Sequence, residues 1–155
     1  MDLSGKFVSP SSSGNNYILI VYDYDSNSIL AVLLPNCRSE SILEAYQIAH
    51  TQLCAVGLRL KLQHLDNEAS QALKDFLVAE DVDFQLVLPH VHCCNATKHA
   101  IHTFKNHFIA GLCSTDQHFP FHLWDCLLPQ AELTLDLLCG SHLNPQCLGT
   151  TPWTL

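Results

Sequence analysis

Apolar residues cluster in short runs separated by polar turns over the first third of the chain. Residues 17–24 and 28–34 are dense in aliphatic and β-branched side chains, and Asp25, Ser26 and Asn27 between them are typical turn residues. This pattern predicts a β-hairpin. The preceding residues 1–16 are rich in serine, glycine and asparagine, which indicates a loop.

The middle of the chain changes to helical spacing. Apolar positions recur every three or four residues from residue 39 or 41 to 56, and again over 68–80, which predicts two helices. Gly57 stands where the first helix needs a C-terminal cap. Short apolar runs over 58–65 and 82–88 predict two further strands.

Two more helices are predicted in the last third, over residues 95–112 and 122–138, followed by an irregular tail over 141–155. The first of them should bury three side chains on one face: Ile101, Phe104 and Phe108. Its opposite face carries three polar side chains: Lys98, His102 and Lys105. The order of strands and helices indicates mixed α/β packing in a single domain over residues 1–155.

Composition narrows the class of protein. A chain of 155 residues that is 48% hydrophobic can bury a sizeable core, and none of its apolar runs approaches the ~20 residues of a membrane span. The N-terminal sequence predicts no secretory signal, so we expect a nuclear or cytoplasmic protein whose eight cysteines are mostly thiols. The net charge of -8 argues against strong nucleic-acid binding.

Five segments together resemble the integrase catalytic core of copia-type retrotransposons, within the wider group of retroviral integrases and DDE transposases. They lie in the family's order and span nearly the whole chain: residues 2–7 (DLSGKF), 17–27 (YILIVYDYDSN), 65–68 (LDNE), 95–106 (NATKHAIHTFKN) and 122–125 (HLWD). The resemblance implies a ribonuclease H-like α/β fold with a mixed five-stranded sheet flanked by helices. The first strand is expected to be truncated, because the chain begins one residue before Asp2.

The resemblance also implies a site. In this family three carboxylates hold two Mg²⁺ or Mn²⁺ ions about 4 Å apart for phosphodiester transesterification during DNA integration. The first carboxylate falls on Asp2 and the second on Asp66, whereas Asp23 and Asp25 fit the hairpin turn better.

The third position departs from the family's pattern, because Lys98 stands where the family has glutamate. An ammonium group cannot ligate a cation and repels one. The sequence therefore predicts a degenerate transposable-element fragment, a pseudoenzyme that does not bind the metals productively.

The expected partner is DNA, bound weakly through Lys98, His102 and Lys105, although a solvated helix face explains these three residues equally well. The family assembles as multimers, so a homo-oligomer is also expected. Neither a membrane nor a small-molecule substrate is expected. The alternative function is a non-catalytic binding or scaffold protein that a host has retained with the same fold.

The surplus of cysteine and histidine has two interpretations. The family tends to carry arginine at eight positions where this chain has cysteine or histidine. These positions are His64, Cys93, Cys94, His99, His102, Cys126, Cys139 and His142. A single base change converts arginine codons of the CG type to cysteine or histidine codons. The surplus then reflects mutational decay. The other interpretation is a zinc site, built from the cluster His90, His92, Cys93 and Cys94 or from the pair His118 and His122. Adjacent Cys93 and Cys94 and the absence of any Cys-x-x-Cys pair make zinc the weaker hypothesis.

Overall fold

The computed structural model describes residues 1–65, 69–86, 96–138 and 140. Within them the chain forms five strands, four α-helices and one 3₁₀-helix. In chain order these are β1 (Asp2–Leu3), β2 (Tyr17–Asp23), β3 (Ser28–Leu34), α1 (Ser39–Ala55), β4 (Leu62–Leu65), α2 (Gln71–Ala79), β5 (Asp83–Leu86), α3 (Ala96–Cys113), the 3₁₀-helix (Phe121–Leu127) and α4 (Leu128–Leu138). None of the helices in these ranges is long and apolar enough to cross a membrane.

The strands pair in two groups. β1, β2 and β3 form an antiparallel sheet in that order, and β4 pairs with β5 in parallel. The described strands are therefore five and of mixed direction, as predicted, but their hydrogen bonds do not join them into one sheet. The short strand β1, at the edge of the first sheet, pairs only Asp2 with Ile20 and Leu3 with Leu19. Leu3 still packs in one apolar cluster with Leu65 of β4.

Strand β2 separates two apolar clusters because successive side chains of a strand point to opposite faces. Leu19 and Val21 pack with residues of α1 and α2, and we call this side the α1–α2 face. Ile18 and Ile20 pack with residues of α3, the 3₁₀-helix and α4, and this side is the α3–α4 face. Burial on both sides places β2 at the centre of the fold, flanked by helices.

Local capping explains where the first two helices begin and end. Gly57 has φ +83° and its N–H donates to the carbonyl oxygen of Cys54 at 3.0 Å, which confirms its predicted role in ending α1. The prediction that the second helix starts at residue 68 is wrong. Ser70 has extended backbone and its Oγ accepts the N–H of Leu73 at 3.3 Å, so it caps a helix that begins at the next residue.

The two strands of the parallel pair are shorter than the runs that predicted them. The N–H of Leu58 still bonds back to the carbonyl oxygen of Leu53, so the first residues after Gly57 complete the end of α1 instead of starting β4. Pairing begins when the N–H of Asp83 donates to the carbonyl oxygen of Lys61 at 2.9 Å. An apolar run thus marks the burial of this segment but not the bounds of its strand.

The prediction of one continuous helix over 122–138 is also wrong. The segment divides into the 3₁₀-helix and α4, with Leu123 departing from helical geometry at φ -92° and ψ 17°. Pro129 accounts for the division, because a proline inside a continuous helix removes one hydrogen bond and clashes with the carbonyl four residues earlier. In the first turn of α4, where it lies, a proline is tolerated.

Candidate metal and nucleic-acid site

Asp2 lies on the α3–α4 side of the sheet. It is paired with Ile20, and directly opposed residues of two strands project from the same face. Ile20 is fully buried in the cluster that contains α3. The Asp2 side chain itself is exposed, and its Oδ1 accepts the N–H of Leu3 at 2.7 Å. The other carboxylate oxygen of Asp2 does not take part in that contact, and the side chain faces solvent.

Lys98 lies in the first turn of α3 as the structure describes that helix, and its side chain is exposed. Helix α3 contacts both β1 and β2. The element that carries Lys98 therefore packs on the side of the sheet to which Asp2 belongs. The predicted site residue Asp66 follows Leu65 of β4 and lies outside the described residues.

The three polar residues predicted to share one face of α3 do so. Lys98 and His102 are exposed and Lys105 is half-buried, while Ile101, Phe104 and Phe108 are buried in the α3–α4 face. Asn106 lies one turn beyond His102, and its Nδ2 is 3.1 Å from the Nδ1 of that histidine. This surface offers two cationic side chains and hydrogen-bonding groups to solvent, which is the chemistry that phosphate contacts use.

The hairpin carboxylate of Asp23 accepts hydrogen bonds within the turn. Asp23 Oδ2 accepts both the N–H of Ser26 at 2.9 Å and its Oγ–H at 2.6 Å, and Asn27 adopts a positive φ of 61°. These contacts confirm the interpretation of Asp23 as a turn former.

No group of three His, Cys, Asp or Glu side chains within the described ranges could hold a metal ion. Asp2 alone does not make the carboxylate cage that Mg²⁺ or Mn²⁺ needs, and the ammonium of Lys98 cannot contribute. The part of the chain that the structure describes therefore does not fit the two-metal set, and we derive no catalytic step through metals.

The zinc hypothesis loses one of its two residue sets. His118 lies in a turn and His122 in the 3₁₀-helix, and Pro120 stands between them, so they do not share one helix face as predicted. The cluster His90, His92, Cys93 and Cys94 lies outside the described residues. All four cysteines that the structure does describe are exposed thiols: Cys37, Cys54, Cys113 and Cys126.

Sequence reasoning missed two carboxylates of α4. The N–H of Ala31 donates to Glu132 Oε1, and the N–H of Ile29 donates to Asp136 Oδ1 at 3.3 Å. Burial raises the pKa of Glu132 to about 7 and that of Asp136 to about 6. The sequence signal for them is that Glu132 and Asp136 are four residues apart and each follows an apolar residue, Ala131 or Leu135. The same spacing is typical of two carboxylates on a solvent-exposed helix face.

The architecture matches that of retroviral integrase catalytic cores, which have a ribonuclease H-like fold. A chain of the simian T-cell lymphotropic virus intasome, solved in complex with PP2A regulatory subunit B56 gamma, superposes with a TM-score of 0.70 at 16% identity, covering 99% of this chain. The magnesium-bound catalytic core of HTLV-2 integrase in its trimeric form gives 0.62 at 17% identity, covering 96% of this chain and 90% of that one.

The catalytic core of BIV integrase also matches, with a TM-score of 0.57 at 14% identity over 94% of this chain and 86% of that one. This chain spans 51% of the intasome chain, so it corresponds to about half of that protein. The sequence matches no protein-family model and no curated protein. At these identities the similarity establishes the fold: this is an α/β chain with the integrase-core architecture.

Proposed function

We propose that this chain is a catalytic-core fragment of a copia-type retrotransposon integrase that binds DNA weakly and does not catalyse strand transfer. The observation that carries the proposal is the position of Lys98. It occupies the start of α3, on the side of the sheet that holds Asp2, in a chain with the integrase-core fold.

The loss of activity follows from charge. The HTLV-2 core was solved in complex with magnesium, and integration chemistry in this fold depends on two divalent ions held by carboxylates. A lysine in place of the third carboxylate removes two ligand oxygens and adds a positive charge. At a separation of about 4 Å and an effective dielectric constant of 20, two unit charges interact by about 4 kcal/mol, so a Lys98 ammonium close to a metal would oppose its binding strongly.

Weak DNA binding follows from the surface of α3. Lys98, His102 and Lys105 would contact phosphates, but the chain as a whole carries a net charge of -8. The HTLV-2 core is recorded in dimeric and trimeric forms, which supports a homo-oligomer for this chain as well. We place its action in the nucleus or cytoplasm.

The test is strand transfer into short duplex DNA with Mg²⁺ or Mn²⁺. We expect no product from the unaltered chain and detectable product from Lys98→Glu, because the substitution restores the missing carboxylate. Adding Asp66→Asn to Lys98→Glu should abolish the product again. Activity of the unaltered chain would overturn the proposal.

A matched control is Lys105→Glu, which makes the same charge change on the same face of α3, seven residues away from Lys98. It should yield no product. If both lysine substitutions gave equal activity, the effect would come from the general charge of the helix, and the assignment of Lys98 to the third-carboxylate position would be wrong.

A further inference from the structure

The free edge of β3 is covered by α4. In the sheet order β1-β2-β3, one edge of β3 pairs with β2 and the other has no strand partner among the described residues. Along that second edge, the N–H of Ala31 donates to Glu132 Oε1 and the N–H of Ile29 donates to Asp136 Oδ1 at 3.3 Å. Ser28 Oγ adds a longer contact to Asp136 Oδ2 at 3.4 Å. Side-chain carboxylates thus take the place of a neighbouring strand.

The spacing of the two carboxylates along helix α4 matches the spacing of the two N–H groups along strand β3. Four residues of helix rise about 6.0 Å, and two residues of strand rise about 6.8 Å, so positions i and i+4 of a helix fall beside positions j and j-2 of a strand that runs the other way. The two carboxylates obey this register. Beyond the ends of both elements, Asn27 Nδ2 of the hairpin turn donates to the carbonyl oxygen of Gly140 at 3.1 Å. The contact between α4 and β3 is therefore a register of two positions and not a single chance hydrogen bond.

Glu132 and Asp136 lie where burial disfavours an ionised carboxylate. Asp136 is only 1% exposed and Glu132 is half-buried. Residues four apart on a helix are neighbours, so two ionised carboxylates here repel each other. Neither has an ion-pair partner in the described part of the chain. Backbone N–H groups stabilise the ionised forms, but they do not replace the water that burial removes.

Among the residues that the structure describes, the elements around α4 bring no compensating cation into this contact. β3 carries no titratable side chain. Helix α3 packs against α4 through apolar residues. Its titratable groups Lys98, His99, His102 and Cys113 are exposed, while Lys105 and His107 are half-buried. The 3₁₀-helix contributes His122 and Cys126, both exposed, and the buried Asp125, which is not a cation. The hairpin turn adds Asp23, bonded to Ser26, and Asp25.

The pKa values of Glu132 and Asp136 determine how the stability of this contact changes with pH. Burial is the largest cause that raises the pKa of Glu132 to about 7 and that of Asp136 to about 6, with the backbone contacts of Ala31 and Ile29 opposing it. Both values exceed those of an unfolded chain, so the folded state binds protons more tightly than the unfolded state. The associated stability is fully present below about pH 4 and is lost as pH rises through 6 to 7.

We propose that α4 is a pH-sensitive clasp on the free edge of β3, closed while Glu132 and Asp136 carry protons and loosened when they ionise. Loosening exposes the backbone donors of Ile29 and Ala31. An exposed strand edge is the surface on which another strand can pair, so the clasp controls whether this edge is available.

The test is amide hydrogen exchange between pH 5 and pH 8, followed residue by residue and corrected for the intrinsic exchange rate. Leu30 is the internal reference, since its N–H alternates to the opposite edge of β3, towards β2. We expect the protection of Ile29 and Ala31, relative to Leu30, to fall by at least about tenfold over this range, because one pKa unit corresponds to a tenfold change in equilibrium.

Three variants separate the two carboxylates from the rest of the chain. Glu132→Gln should remove the pH dependence at Ala31, and Asp136→Asn should remove it at Ile29. Glu44→Gln, which removes an exposed carboxylate of α1, should keep the profile of the unaltered chain. Constant relative protection of Ile29 and Ala31 in the unaltered chain would overturn the proposal even if the variants fail to fold. So would a pH dependence that persists when both carboxylates are replaced.

Discussion

The two faces of β2 are packed by different chemistry. On the α1–α2 face the buried cluster is mainly aliphatic, and a buried hydrogen bond at 3.0 Å joins the Tyr46 hydroxyl to Gln63 Oε1. On the α3–α4 face the cluster is rich in aromatic rings, and two carboxylates are bonded to the edge of β3. The candidate residues Asp2 and Lys98 belong to this second side. The two buried carboxylates with raised pKa values and the candidate residues Asp2 and Lys98 are therefore on the same side of the sheet.

The largest effect should come from the aromatic cluster. Trp124 is completely buried, stacks on Phe7 with ring centroids 4.0 Å apart, and donates its Nε1–H to the carbonyl oxygen of Ser9 at 3.0 Å. Trp124→Ala should lower the free energy of unfolding by about 3–5 kcal/mol in urea titrations at constant pH. Trp124→Phe keeps a ring and should cost less. A loss below about 1 kcal/mol for the alanine variant would show that this face is loosely packed.

A smaller effect is expected on the α1–α2 face. Tyr46→Phe leaves the Oε1 of Gln63 buried without its donor, which should cost about 1–3 kcal/mol. Burial raises the pKa of Tyr46 above its usual range, so this contribution is fully present below about pH 10 and is lost only above it. The cost measured in urea should therefore be the same at pH 5 and pH 8, in contrast to the behaviour expected of Glu132.

The control for Tyr46→Phe is Tyr24→Phe, which removes the same hydroxyl from an exposed ring in the hairpin turn. It should change the unfolding free energy by less than the Tyr46 variant at either pH. If the cost of Tyr46→Phe varied between pH 5 and pH 8, the contrast between the two faces would not hold.

The smallest effect concerns DNA. His102→Arg on the exposed face of α3 should strengthen binding to a short duplex and steepen the dependence of log affinity on log salt by up to about 0.9, the contribution of one phosphate contact. Thr51→Arg adds the same charge to an exposed position on α1, on the other side of the sheet, and should change the slope less. Equal slopes for the two variants would remove the support for a DNA surface on α3.

Much of the fold could be predicted from the sequence because its signals are local. The hairpin follows from two apolar runs and a turn, and β3 spans Ser28–Leu34 as predicted. The buried stripe of α3 follows from helical spacing. The errors also have local causes that the apolar pattern does not contain: Ser70 offers a cap that competes with an earlier helix start, and Pro129 divides a segment whose hydrophobicity is continuous.

The site could be predicted only in part. Alternation along β1 and its pairing with Ile20 give the side of the sheet on which Asp2 lies, but that pairing is a long-range contact that no local pattern specifies. Glu132 and Asp136 were missed for a related reason. A carboxylate pair on a helix normally faces water, and only the three-dimensional position of the β3 edge makes these two residues buried acceptors.

The central claim is that Lys98 prevents productive metal binding, and the most direct test is titration of the purified chain with Mn²⁺, with the free ion measured by electron paramagnetic resonance. We expect no saturable site in the unaltered chain or in Lys98→Met, which removes the charge without adding an oxygen ligand, and a saturable site in Lys98→Glu. Saturable binding by the unaltered chain, unchanged in Lys98→Glu, would contradict the account.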